Sequence, residues 1–159
     1  WYSGPSYPDP AVPADIKVLR RRSSHWAPQR QWLNTLYPVD LTWNIPVDWN
    51  LFRPDLWGRI YRTFSLEFLQ HWSVEHQGKL EGVVSWQHSR ASTDTLWLAI
   101  PDRFDEKALL SLFTITRSSI RKDQPLSLNF PAGLAVDVLR EAGFYAHQTL
   151  IWMEHKLWR

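Results

Sequence analysis

Between Phe68 and Gln87 the chain alternates, with Phe68, Trp72 and Val74 on one parity and Leu69, His71, Ser73 and Glu75 on the other. That period of two predicts a strand. A second apolar-rich run, Leu80 to Gln87, follows across Gln77-Gly78-Lys79, and so short a Gly-containing connection predicts an antiparallel hairpin. Upstream, Ile16-Lys17-Val18-Leu19-Arg20 begins as an alternating strand. Ser23 or Ser24 then caps a helix with Pro28 in its first turn and Trp32, Leu33 and Leu36 at helical spacing, as far as Pro38. Residues 39–63 keep neither period and are expected to be irregular, with a short helix near 54–62. Thr95 to Ile100 reads as a strand stopped by Pro101. A helix over 105–122 follows, with Leu109, Leu112, Phe113, Thr116 and Ile120 as its buried stripe. Leu126 to Phe130 is another strand ended by proline, Pro131. A last helix over about 132–142 has Gly143 at the left-handed position after it, and a strand or strand pair spans Tyr145 to Leu157.

The order is β-α-irregular-β-β-β-α-β-α-β. The unit strand 95–100, helix 105–122, strand 126–130 is a crossover, so its strands are expected to be parallel, whereas the hairpin before it is antiparallel. A mixed sheet with helices on both faces follows, an α+β (mixed α/β) fold rather than a doubly wound nucleotide fold. No Gly-x-Gly-x-x-Gly follows a strand.

Composition narrows the picture. The 159 residues, 44% hydrophobic and 21% charged, suit one soluble domain. Residues 1–14, with Pro5, Pro8, Pro10 and Pro13, read as a Pro-rich linker or arm, leaving 15–159 as a single domain. A start at Trp1 rather than Met points to an excerpt or a processed product. No apolar run is long enough for a membrane span, and the absence of cysteine removes disulfides, thiolate nucleophiles and sulfur-held zinc, with a cytoplasmic setting as the default. A net charge of only +2 argues against nucleic acid. The eleven Trp can thicken a core, line a groove or form an interface.

Particular residues carry a resemblance. Trp72-Ser-Val-Glu-His-Gln-Gly-Lys-Leu-Glu-Gly82-Val-Val, a strand ending Leu98-Ala-Ile-Pro101, two helices, and Glu141-Ala-Gly143-Phe144 before a strand with Trp152-Met153 together resemble the GNAT superfamily of N-acetyltransferases. The match in order covers about residues 64–157 and extends more loosely toward residue 16. The resemblance implies a fold that holds acyl-CoA between two splayed parallel strands, here 95–100 and 126–130. Leu98, Ala99 and Ile100 would lie beside the thioester, and an amine would attack directly.

The chain departs from the family pattern where that pattern is most specific. In place of Gln/Arg-x-x-Gly-x-Gly/Ala it has Pro101-Asp-Arg-Phe-Asp-Glu-Lys-Ala108, with no glycine and with Asp102, Asp105 and Glu106. A like charge about 5 Å from a phosphate costs about 1 kcal/mol in water and about 3 at an effective dielectric near 20. A helix end contributes only about 0.3–1 kcal/mol. Arg103 and Lys107 offset part of this cost, and weak CoA binding or none is expected by this route. Leu139 stands where many members carry an acid Tyr, and Ala132 where an Asn often opens the helix.

Asn129 is a candidate to orient an acyl carbonyl or amine, against the reading that it bonds its own backbone beside Pro131. Glu75 is a candidate base through water, against a solvated carboxylate near the turn. Arg20, Arg21 and Arg22 can contact phosphate or form a solvated strand end. Trp43, Trp49 and Trp57 can line a groove or cover the sheet. No His or acid spacing supports a metal.

The leading expectation is an acetyl-CoA or other acyl-CoA-dependent N-acyltransferase domain with an eroded pyrophosphate loop. It would act on a small-molecule or peptide amine and be the less active half of a tandem protein with a preceding GNAT-like domain. The alternative is a non-catalytic interaction or ligand-binding module using a Trp-rich groove.

Overall fold

The computed structural model describes residues 1–4, 11–38, 40, 48–65, 68–89, 92–120, 124–149 and 151. Six strands form one sheet: β1 (Tyr2–Ser3), β2 (Ile16–Arg20), β3 (Phe68–His76), β4 (Lys79–His88), β5 (Asp94–Ala99) and β6 (Leu126–Leu128), in the spatial order β1-β6-β5-β4-β3-β2. Among the described residues only β5 and β6 are parallel; the other neighbours are antiparallel. The helices are α1 (Trp26–Leu36), α2 (Leu56–Ser65), α3 (Glu106–Ser119) and α4 (Val136–Glu141). The mixed sheet expected from the order of elements is therefore present, and α3 is the crossover joining the two parallel strands. No helix among the described residues is long and apolar enough to cross a membrane.

Each element has a local cause. The hairpin between β3 and β4 turns on Gln77 (φ 51°) and Gly78 (φ 79°), two consecutive left-handed residues that match the twist of the flanking strands. A register shift at Val74/Glu75 leaves Glu81 as an extra residue on β4. Beyond it, a Cβ on Gly82 would meet Ile100 Cγ2 at 3.3 Å and Leu112 Cδ2 at 3.5 Å, so Gly82 faces α3. By alternation Val84, Trp86 and His88 share that face, while Val83, Ser85 and Gln87 face α1.

Two expectations shift. The last helix begins at Val136 rather than 132, because Gly133 (φ 87°) and Ala135 (φ 49°) are left-handed and interrupt any earlier helical turn. Its end is as expected: Gly143 is left-handed and the Phe144 amide donates to Leu139 O at 2.9 Å. Of the strand expected over 145–157, Tyr145 makes a single bridge with Tyr2, and residues 150 and 152–159 lie outside the described residues.

The first residues, read from their prolines as a linker or arm, dock on the sheet. Tyr2 and Ser3 pair with Ser127 and Leu126, and the buried Arg117 of α3 donates to Ser3 Oγ at 2.8 Å and to Gly4 O at 3.0 Å. The guanidinium also lies 5.3 Å from the Phe144 ring centroid. Arg117→Ala is expected to lower stability by about 1–3 kcal/mol and to release residues 1–4. Urea unfolding reads the first effect, and faster hydrogen exchange at Leu128 and Tyr145 reads the second.

Candidate functional site

The parallel pair is short. Asp94, Thr95 and Leu96 pair with Leu126, Ser127 and Leu128; beyond that point β5 runs on through Trp97, Leu98 and Ala99 with no strand partner on this side among the described residues. Tyr37, the first residue after α1, enters the parting. Its hydroxyl lies 2.7 Å from Asn129 O and 3.3 Å from Leu98 O. A phenol has one proton, so the shorter contact is the stronger bond and the Leu98 carbonyl keeps acceptor capacity. In a strand the N–H of a residue points to the same side as its C=O, so the Leu98 amide faces the parting too.

Aromatic rings wall this point on the α1 face. The Tyr37 centroid lies 5.5 Å from that of Trp49 and 5.8 Å from that of Trp97, and Trp49 also meets Phe52. Tyr37 is 5% exposed, and burial pushes its phenol far above the ordinary range, despite the opposing bond to Leu98, so it remains a neutral donor. Sequence reading missed Tyr37; its position just past the stripe Leu33, Leu36 was the available signal.

The expected site residues fall into two groups. Leu98, Ala99 and Ile100 are buried along β5 and just beyond it, beside the parting; Asn129 is exposed and brings its carbonyl to Tyr37. Glu75 lies elsewhere, with its Oε1 3.2 Å from both Arg22 Nη1 and His25 Nε2. Nδ1 of His25 lies 3.0 Å from Ser73 Oγ. Burial, the largest influence on His25, and its arginine neighbours outweigh Glu75 and hold the ring below its ordinary value, favouring the neutral form. Ser73 is fully buried, so this Ser-His-Glu line offers no accessible nucleophile.

The arginine run is engaged by its neighbours, with Arg20 and Arg22 exposed and Arg21 half-buried. Arg20 lies 4.4 Å from the Trp72 ring centroid and donates to Gln70, Arg21 donates to Gln29 at 2.6 Å, and Gln29 in turn donates to Ser85. Of the tryptophans proposed for a groove, Trp49 covers the sheet, Trp57 is 71% exposed on α2, and Trp43 lies outside the described residues. No group able to hold a metal is found among the described residues.

At the start of α3 the helix supplies its own anion. Asp105 accepts from the Ala108 amide at 2.9 Å, its backbone amide donates to the buried Glu81 at 3.2 Å, and Glu81 is paired with Lys79 at 2.7 Å. His76 bridges Asp105 and Asp15, 2.9 Å from each. Arg103 and Lys107, expected to hold phosphate, are both exposed around this end.

No family model and no curated protein matches the chain. Solved structures do. An acetyltransferase of Trypanosoma brucei is 14% identical, with 89% of this chain and 100% of that one aligned at a TM-score of 0.48. RimL, a ribosomal L7/L12 alpha-N-protein acetyltransferase in complex with coenzyme A, is 14% identical over 83% of this chain and 81% of its own, TM-score 0.48. AAC(6')-Iy with a CoA bisubstrate analogue is 10% identical over 89% and 99%, TM-score 0.45. The element order built above, from β2 to α4, is the one that the resemblance to the GNAT superfamily implies.

Two outcomes follow. Tyr37→Phe removes the one phenolic proton, shared chiefly with Asn129 O and more weakly with the buried Leu98 O, and is expected to cost about 1–3 kcal/mol by urea unfolding, with no change in the pH dependence of stability. The His76 clamp does depend on pH. Although desolvation opposes it, bonding to Asp15 and Asp105 raises His76 above its ordinary 6.5, so its contribution is whole below about pH 6.5 and fades as pH rises through the raised value. Asp105, lowered chiefly by the Ala108 amide, contributes above its ordinary 3.8 and loses this as pH falls through the lowered value. The melting-temperature gap between wild type and His76→Asn should therefore be larger at pH 5.5 than at pH 8.5.

Proposed function

We propose that the chain is an N-acyltransferase domain of the GNAT superfamily, which takes the pantetheine arm of an acyl-CoA into the parting of β5 and β6. The observation that carries this reading is the three-residue limit of the parallel pairing, with the Leu98 carbonyl and amide facing the gap beyond it. An arm bearing two amides needs main-chain donors and acceptors of that kind. The amine nitrogen attacks the acyl carbon, the C–S bond breaks, the amine proton passes to water and the thiolate is protonated by water. Leu98, Ala99 and Ile100 hold the arm, and the Asn129 amide orients the carbonyl or the amine at the exposed mouth. Glu75, tied to Arg22 and His25, positions its surroundings rather than taking the proton.

The pyrophosphate route is eroded. Asp105 occupies the helix start that a phosphate would use, with Glu81 behind it, leaving Arg103 and Lys107 to hold phosphate from the rim. The same observation supports a second reading, a non-catalytic module that binds a ligand in this cleft without coenzyme A. A preceding GNAT-like domain in a tandem chain fits the exposed apolar side of α2, where Leu56 (67% exposed), Trp57 and Ile60 lie together. A small-molecule or peptide amine is the acceptor.

Thermal unfolding with acetyl-CoA and longer acyl-CoAs separates the readings. Saturation at 100 times the dissociation constant adds about 2.7 kcal/mol, and a rise in melting temperature is expected with millimolar ligand. No shift with any acyl-CoA at that concentration overturns the acyltransferase reading and leaves the non-catalytic module.

A further inference from the structure

At the opposite end of β5 from the parting lies a cavity of about 340 Å³, lined by Phe68, Gln70, Trp86, His88, Ser119 and Ile120. Its volume is near the lower bound of small-molecule sites. Phe68, 53% exposed, meets Trp86 edge-to-face with centroids 5.6 Å apart, and these rings form an apolar wall.

The polar groups of this wall are held from behind. Asp94 is fully buried; its Oδ2 accepts from Trp86 Nε1 at 2.9 Å, and its Oδ1 accepts from His88 Nδ1 and from the Ser89 amide, each at 2.9 Å. A carboxylate only accepts, so this bond selects the Nδ1–H tautomer of the His88 imidazole, whose lone pair is at Nε2. Among the described residues no hydrogen bond reaches that nitrogen. Gln70 Oε1 accepts from Arg20 Nη1 at 2.7 Å, which fixes the amide orientation and leaves its NH2 group as a donor. Phe68 stands opposite His88 and Gln70 opposite Trp86, so Gln70 and His88 are diagonal neighbours on one face, about 7–8 Å apart between backbones.

One acceptor and one donor on the same face of the hairpin, beside two aromatic rings, match a particular chemistry. We propose that this cavity binds a planar ring whose edge carries an adjacent N–H and C=O, the pyridone or pyrimidinone class of cyclic amide. The ring N–H donates to His88 Nε2, the C=O accepts from the Gln70 amide, and the ring lies against Trp86 and Phe68. Burial of Asp94 is satisfied without His88, since Trp86 and Ser89 already supply a donor to each oxygen; the third bond fixes the tautomer of a residue in the cavity wall. Ser119 offers the cavity no donor, because its hydroxyl donates to Ile115 O at 2.7 Å. The proposal is independent of any acyl-CoA.

The test titrates the whole chain with 2-pyridone and with N-methyl-2-pyridone, which keeps the ring and carbonyl but lacks the N–H. Calorimetry reads affinity and the Trp86 indole N–H resonance reads location. Saturable 2-pyridone binding is expected, with the N-methyl compound about tenfold weaker, the worth of one good hydrogen bond. His88→Phe should abolish that preference. Gln70→Ala and Phe68→Ala, both at positions with solvent access, should weaken 2-pyridone and keep the wild-type fold, so the test stands even if His88→Phe does not fold. Equal affinity for the two probes, no saturation at millimolar concentration, a preference that survives His88→Phe, or unchanged affinity in the other two variants overturns it.

Discussion

The structure turns on a parallel ladder that stops early. Leu128 is the last paired residue of β6, and three positions later Pro131 has no N–H to offer; β5 meets the same end at Pro101. Main-chain groups of Leu98 and Asn129 are thereby left facing a gap, and for the buried Leu98 an unpaired polar group costs about 1–3 kcal/mol. The Tyr37 hydroxyl relieves this, and to deliver it α1 must lie against β5, with Trp49 and Trp97 packed around the ring and Phe52 behind Trp49. The gap, the position of α1 and the aromatic cluster are one arrangement.

Charge is distributed around that arrangement unevenly. Under α1, arginines and histidines run into the sheet through Gln29, Ser85, Ser73 and Glu75, a polar layer in which the listening partners are mostly neutral or singly acidic. Across the sheet, Asp105, Glu81 and Asp15 gather at the start of α3 around His76 and Lys79. The start of α3 thus carries its own carboxylates, with Arg103 and Lys107 exposed around it.

How much of this the amino-acid sequence discloses depends on whether the cause is local. The hairpin at Gln77-Gly78, the Asp105 cap and the Gly143 stop are each set by a few adjacent residues, and all three are visible in the chain. Proline positions likewise mark the ends of β5 and β6. The left-handed Gly133 and Ala135 were not legible, because alanine carries no signal for that conformation and the periodicity of the helix runs through it. Residues 1–4 could not be placed because their partners, Leu126, Ser127 and Arg117, are more than a hundred positions away. Tyr37 and Asp94 were missed for similar reasons: a residue before a proline looks like a helix end, and an aspartate is a poor strand former. Their roles come from tertiary contacts alone.

The central claim is that the gap between β5 and β6 is a binding cleft for the arm of an acyl-CoA. Hydrogen exchange with and without acetyl-CoA, resolved to single amides, tests it most directly. The account predicts slowed exchange at Leu98, Ile100 and Asn129, whose amides lie on the gap side by alternation, and not at Ala99, which pairs with Val83 of β4. Unchanged exchange at these amides under saturating acetyl-CoA, or protection only at residues away from the gap, contradicts it.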